Sequence, residues 1–444
     1  MKARKENPLR VRLKAVFASE FVRHVATLLT GTVAAQALML VLTPVLSRLY
    51  TPEDYGLFSI YSSILSTLTV IAALRYDMAI MLPKSDTDAK VLKRGVTLLI
   101  LATSVVATLV CAFLGGMIAN AFSAPALAPW LALMGLSVFS LSEITALSYW
   151  LNRKKDYKTI GINKVLLSSG TGLAQLGLAL TKLGGIGGLI LGSLFGQLVA
   201  LLRLRQRSRE SRQGLEDATS SLKELLYRYR RMPLLNGPNA LVDSARSTGM
   251  SLLIAALYSG AVLGQFYMAW RLLQIPIALI NGAISQVFFQ KLSITPRGRM
   301  YPFVRAAVVR SALLGIVPFV LIYLLSPWIF PFFLGGQWQL AASIAQALVP
   351  WLFLNLITSP ISTIFIVTET QHWMLAHATV YAAIPLTLIP LLQGDIVWSL
   401  TVMSWAMAGW LVVFIFMALW VSRKYDLETV ADGPATTLGL DSAL

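Results

Sequence analysis

Twelve apolar segments, most of them about twenty residues or longer, run through the 444-residue chain and dictate its environment. A bilayer core is about 30 Å thick, and about 20 apolar residues of helix cross it. The segments fall at roughly 25–46, 56–82, 95–118, 127–150, 160–180, 184–204, 234–257, 261–288, 304–325, 339–367, 373–392 and 396–421. Hydrophobic residues make up 56% of the chain and charged residues only 13%, which excludes a soluble globular enzyme and a disordered chain. One cysteine, Cys111, leaves no intramolecular disulfide and no Cys-based zinc or iron–sulfur site. With three histidines in all, a His-rich metal site is not expected, and neither is any cofactor.

The formal net charge of +17 could signal nucleic acid. Topology accounts for it instead. With the N-terminus placed in the cytoplasm, 31 of the 37 Lys and Arg residues fall in cytoplasmic stretches, and the opposite side receives only Arg48 and Lys182. That asymmetry is the positive-inside pattern. It predicts a multi-pass membrane protein with both termini cytoplasmic, and no nucleic-acid partner.

The longest polar interruption, 205–233, divides six spans from six. The expected organisation is a cytoplasmic interfacial segment (1–24), an N-lobe (25–204), a partly helical cytoplasmic linker (205–233), a C-lobe (234–421) and a cytoplasmic tail (422–444) without ordered structure. Leu9, Leu13, Phe17 and Phe21 recur at i,i+4 spacing among arginines, the pattern of an amphipathic helix lying on the membrane surface. The halves share one weak echo. LYTPEDYGLF (49–58) and LYSGAVLGQF (257–266) both fit Leu-Tyr-[Thr/Ser]-x-x-x-x-Gly-x-Phe at the turn into the second span of their half. Two halves inserted the same way round imply a pseudo-two-fold axis along the membrane normal, with substrate bound between them.

Charge inside a span is costly and marks function by default. At 1.5 Å per residue, Arg246 lies roughly 18 Å into the seventh span and Arg271 about 15 Å into the eighth, so both approach the midplane. Gln36 lies at similar depth in the first span. Arg75, Asp77 and Glu143 are expected in the cytoplasmic third, Arg75 and Asp77 on different faces of the second span. A guanidinium fork grips phosphate bidentately, so Arg271, Arg246, Arg75 and Gln36 are the candidate substrate-binding residues of a basic cavity. Asp243, one turn before Arg246, could instead neutralise it. Glu143, Asp243 and Asp77 are the carboxylates placed to couple transport to a proton or sodium ion. Glu143 leads them because no basic residue lies within one helical turn, and a partnerless carboxyl exchanges protons readily. Gly188, Gly192 and Gly196 predict close helix packing. Pro276 and Pro360 predict kinks or breaks. There is no P-loop sequence, and no large outer loop carries an acid–base pair, which argues against an enzyme.

Three stretches then carry a resemblance. Residues 28–89 open with LLTGTVAAQALMLVLTPVLSRLYTPEDYGLF, residues 232–292 begin MPLLNGPNALVDSARSTGM, and residues 150–161 read WLNRKKDYKTIG. They resemble the opening, the seventh and eighth helices and the cytoplasmic loop between helices four and five of Wzx-type oligosaccharide flippases. These form the polysaccharide-transporter branch of the multidrug/oligosaccharidyl-lipid/polysaccharide exporter (MOP) superfamily. The resemblance implies an all-α membrane fold of twelve helices in two pseudo-symmetric lobes around a cationic cavity, as in the multidrug-extruding (MATE) branch. It implies transport of an undecaprenyl-diphosphate-linked glycan for O-antigen, capsule or exopolysaccharide synthesis. Membrane lipid and a polymerase with its chain-length machinery are the partners it suggests. Two alternatives stay open: a small-molecule antiporter of the same superfamily, and a membrane glycan polymerase.

Overall fold

The computed structural model describes residues 20–212, 220–293, 295, 298–368 and 370–431. Among them are twelve helices of 20 to 36 residues and no strand. They are α1 (Glu20–Leu49), α2 (Pro52–Ala72), α3 (Asp86–Ala121), α4 (Met134–Arg153), α5 (Tyr157–Ala179), α6 (Ile186–Arg207), α7 (Gly237–Leu257), α8 (Gly260–Ser293), α9 (Met300–Leu334), α10 (Gln339–Ile361), α11 (Gln371–Leu391) and α12 (Ile396–Ala431). Each overlaps one expected span. Seven candidate spans are long and apolar enough to cross a membrane, and an eighth is formed when α4 is joined across a 58° bend to the short helical segment Pro125–Leu131. The chain is therefore a multi-pass membrane protein. α7 falls below that hydropathy because it carries Asp243, Arg246 and several hydroxyls.

Local chemistry starts the helices where the sequence allows. Thr51 caps α2 in a capping box: the Asp54 N–H donates to the Thr51 hydroxyl at 3.2 Å, and the Thr51 N–H donates to the Asp54 carboxylate at 2.9 Å. Ser85 and Asp156 cap α3 and α5 with the side-chain bond alone, accepting from the Asp88 and Thr159 N–H groups.

Two expected spans are interrupted. The second does not continue to residue 82. It stops at Ala72, the backbone turns left-handed at Leu74 (φ 46°) and Arg75 (φ 61°), and a short helix Tyr76–Ala79 follows. Arg75 and Asp77 thus flank a break and do not occupy two faces of one helix. The tenth stops at Ile361, one residue past Pro360, and restarts as Ile364–Val367. α8, by contrast, is continuous through Pro276.

The chain forms two compact units, Met1–Leu272 with Trp328–Ala342, and Leu273–Pro327 with Ser343–Leu444. In the first, α5 and α6 pack closely along the glycine stripe. A Cβ on Gly192 would lie 2.5 Å from the Gln175 side chain, and one on Gly196 would lie 2.5 Å from the Thr171 nitrogen. A core of Val96, Ile100, Leu147, Trp150, Leu201 and Leu204 joins the N-terminal part of α3 to the C-terminal parts of α4 and α6. The linker is helical over Leu222–Arg228, and its Leu225 is buried with Ala79 and Leu92. At the C-terminal end of α1, Arg48 donates to the carbonyls of Phe332 (3.0 Å) and Phe333 (3.1 Å) at the end of α9. A cation there satisfies carbonyls that the helix end leaves unpaired.

The two copies of the repeated pattern meet reciprocally in this unit. A Cβ on Gly56 of α2 would lie 1.9 Å from the Gly260 carbonyl oxygen at the start of α8. A Cβ on Gly264 of α8 would lie 1.7 Å from the Pro52 carbonyl oxygen at the start of α2. Pro52 and Gly260 occupy equivalent places in the pattern, as do Gly56 and Gly264. Any side chain at either glycine would separate the helices.

In the second unit, Trp351 is buried, its backbone N–H bonded to the Ser404 hydroxyl and its indole N–H to the Tyr381 hydroxyl. The tail departs from expectation. α12 runs on to Ala431, and Asp426 accepts from the backbone N–H groups of Gly298, Met300 and Tyr301 at 2.8 to 3.1 Å, capping the start of α9. The amphipathic pattern at residues 9–23 lies almost wholly outside the described residues.

Candidate functional site

α2 and α7 pack through hydroxyls. The Thr67 hydroxyl is 3.1 Å from the hydroxyls of both Ser244 and Thr248, and Thr248 donates to the Ser63 carbonyl at 3.3 Å. Arg246 sits between Ser244 and Thr248 in sequence and so lies at the Ser63–Thr67 level of α2. That is about 16 to 22 Å from the N-terminal end of α2 at 1.5 Å per residue. Arg271 lies about 16 Å from the N-terminal end of α8 on the same measure. Since the N-terminal ends of α2 and α8 abut at Gly56 and Gly264, the two arginines lie at one level.

Their surroundings differ. The Arg246 guanidinium donates to the Asp243 carboxylate at 2.8 Å, with Asp243 mostly exposed. The local pairing expected as the structural alternative is therefore present. Arg271 is half-buried, one turn after Tyr267, and has no hydrogen bond or ion pair among the described residues. Its field reaches the Tyr55 hydroxyl. Tyr55 stacks on Tyr267 with ring centroids 6.1 Å apart and meets Trp338 edge-on at 5.5 Å, while Phe58 meets Tyr267 edge-on at 6.0 Å. The eighth-helix arginine thus stands beside an aromatic cluster that no local signal pairs with it. Gln36 is half-buried on α1, with no hydrogen bond among the described residues.

Glu143 contradicts the expectation made for it. It has a partner fifty residues away: the Lys93 ammonium lies 2.8 Å from its carboxylate, and both side chains are almost fully buried. The Thr97 hydroxyl donates to the other carboxylate oxygen at 3.0 Å, and Arg205 approaches to 4.0 Å. Asp77 is the carboxylate left buried. Its Oδ1 has no hydrogen-bond partner among the described residues, and neither does Arg75 Nε. Burial pushes the Asp77 carboxyl above its usual range, with the nearby Arg75 guanidinium pulling partly back. Arg75 and Asp77 thus form their own group at the break after α2, apart from the Arg246–Arg271 level.

The fold has counterparts. It is similar to the lipid II flippase MurJ in an inward closed conformation, with a TM-score of 0.71 and 16% identity over 90% of each chain. It is similar to an inward-facing multidrug resistance MATE transporter of the MOP superfamily, with a TM-score of 0.69 and 15% identity over 91% of this chain and 96% of the other. A MOP transporter from Pyrococcus furiosus, described as having a binding pocket of reverse polarity, matches with a TM-score of 0.58 and 15% identity over 93% and 94% of the chains. No curated protein sequence matches. The described residues therefore share the helical, membrane-spanning fold of these structures. A sequence profile described as "Polysaccharide biosynthesis protein" matches residues 45–343, about two thirds of the chain. The chain belongs to the polysaccharide biosynthesis protein family, on a transporter fold.

Proposed function

We propose that the protein is a flippase that carries an undecaprenyl-diphosphate-linked oligosaccharide from the cytoplasmic to the periplasmic leaflet of the inner membrane. One observation carries the reading: Arg271 stands half-buried beside the Tyr55–Tyr267 stack with no counter-charge on it among the described residues. A guanidinium fork suits the diphosphate, and aromatic faces suit the apolar faces of sugar rings. Arg246, whose charge Asp243 dilutes, is an accessory contact, and Gln36 a hydrogen-bonding one. Alternating access between two six-helix lobes would move the head group. Among the three carboxylates, Asp77 fits exchange of a coupling proton best, because Glu143 and Asp243 both have cationic partners. The product would feed a polymerase acting on O-antigen, capsule or exopolysaccharide units.

The test is complementation of a deletion strain. Arg271→Ala is expected to insert at wild-type level yet fail to restore surface glycan, and Arg271→Lys to restore it in part. Full restoration by Arg271→Ala removes the role assigned to this residue. The MATE likeness keeps a small-molecule antiporter as the second reading. Unchanged surface glycan in the deletion strain, with altered drug susceptibility, would favour it.

A further inference from the structure

α1 and α5 lie side by side and run the same way. A Cβ on Gly31 would lie 2.4 Å from Gly161 Cα, and one on Gly172 would lie 2.4 Å from the Leu42 side chain, so the two helices keep one register. In that register Lys164 of α5 stands level with Ala34, between Thr32 and Gln36, which share a face of α1 one turn apart. The Lys164 ammonium donates to the Thr32 hydroxyl at 3.0 Å. No carboxylate pairs with this ammonium among the described residues. Thr32 belongs to the stretch Thr30–Leu49, which is long and apolar enough to cross a membrane. A cation within a span requires water or an anionic group, and a hydroxyl supplies no charge to offset it. The Lys164 side chain is exposed, so an anion can reach it.

Levels along the helices narrow the ligand. The C-terminal end of α1 leads into the N-terminal end of α2, which abuts that of α8. Measured from there at 1.5 Å per residue, Arg271 lies at about 16 Å, Gln36 at about 20 Å and Lys164 at about 22 Å. Gln36 is half-buried, and its level falls between those of the two cations. Lys164 is the one of the three nearest the start of α5, just after Lys154 and Lys155. An ammonium is a point charge on a flexible stem, whereas a guanidinium is a rigid fork. The first suits a contact that takes hold and lets go, the second a contact that orients. We propose that Lys164 is the loading contact for the diphosphate of the lipid-linked substrate. Its ammonium, steadied by Thr32, receives the phosphate at the end of α5 that follows Lys154 and Lys155, and Gln36 relays it toward Arg271. This assignment rests on the flippase reading above.

The experiment follows thermal unfolding of the purified full chain in detergent as undecaprenyl diphosphate is added, with phosphatidylglycerol as the comparison lipid. The wild type is expected to be stabilised by undecaprenyl diphosphate in preference. Lys164→Met should unfold at no lower a temperature than the wild type without lipid. It should nonetheless need about tenfold more undecaprenyl diphosphate for the same shift, the effect of one lost charge-assisted hydrogen bond. Lys164→Arg keeps the charge and should keep the shift. Lys164→Gln can still bond to Thr32 and should show the same loss as Lys164→Met, so the test stands if the methionine variant fails to fold. Wild-type affinity in Lys164→Met or Lys164→Gln overturns the assignment. If either also unfolds early without lipid, the Thr32 bond is a structural tie between α1 and α5. Equal shifts from the two lipids in the wild type would assign the ammonium to any lipid phosphate and overturn the substrate assignment. Loss of the shift in Arg271→Ala but not in Lys164→Met removes this inference alone, whereas no shift in the wild type removes the flippase reading with it.

Discussion

Gly56 and Gly264 hold equivalent places in two copies of one sequence pattern, and each packs against the first residues of the helix that carries the other. The contact is isologous, as a local two-fold axis requires. It ties the N-terminal end of α2 to that of α8 with backbone touching backbone, and it lies a few turns from the level of Arg246 and Arg271.

Adding one methyl group at either glycine should therefore be costly. Gly56→Ala and Gly264→Ala are expected to lower stability by about 1–3 kcal/mol, the range for overpacking a close contact. Gly116, in α3, has open space where its Cβ would stand. Gly116→Ala should be neutral or stabilising by up to about 1 kcal/mol through helix propensity. Thermal unfolding of the three variants in one detergent separates the cases. Equal behaviour of Gly56→Ala and Gly116→Ala would refute the close packing.

The Lys93–Glu143 pair makes a different prediction. Both groups are buried, so removing one strands the other. Glu143→Gln should cost about 3–5 kcal/mol, whereas the double variant Lys93→Met/Glu143→Leu should recover most of it. A double-mutant cycle read by chemical unfolding gives the coupling directly. Additive losses would show that the pair contributes nothing beyond its separate contacts.

Asp77 sets a dependence on pH. Its carboxyl is raised by burial, so the folded state binds a proton that the unfolded state has already released. The stability it contributes is present at low pH and is lost as pH rises through the raised folded value. Asp77→Asn should therefore unfold at a higher temperature than the wild type at neutral and alkaline pH, the gap closing as pH falls below the ordinary carboxylate range. A gap independent of pH would mean that the Asp77 carboxyl titrates alike in the folded and unfolded chain, against the upward shift. If Asp77 carries the coupling proton, the same variant should insert normally and lose the dependence of transport on the proton gradient.

Much of the fold is legible in the chain because bilayer thickness imposes a length that any apolar segment must meet. The helix starts at Thr51, Ser85 and Asp156 and the packing along Gly188, Gly192 and Gly196 depend on neighbours within a few residues or on residue size. The break after α2 was not legible: neither glycine nor proline occurs between Ala72 and Tyr76, and the left-handed residues there are Leu74 and Arg75. Prolines mark the tenth-helix interruption but not the eighth, because a proline removes one hydrogen bond without obliging the helix to stop. For the site, depth was readable for Arg246 and Arg271, since distance along a helix is arithmetic. Partners were readable only when local, as for Asp243 with Arg246. Glu143 finds Lys93 fifty residues away, Arg271 finds Tyr55 from another helix, and Asp426 caps a helix that begins 126 residues earlier.

The proposed movement of a lipid-linked glycan between leaflets is tested by the sidedness of lipid-linked glycan in inner-membrane vesicles from a deletion strain, alongside surface glycan on intact cells. Loss of surface glycan is expected, with the lipid-linked units held on the cytoplasmic leaflet and released to the other side by the wild-type chain but not by Arg271→Ala. Unpolymerised units reaching the periplasmic leaflet without the protein would contradict it.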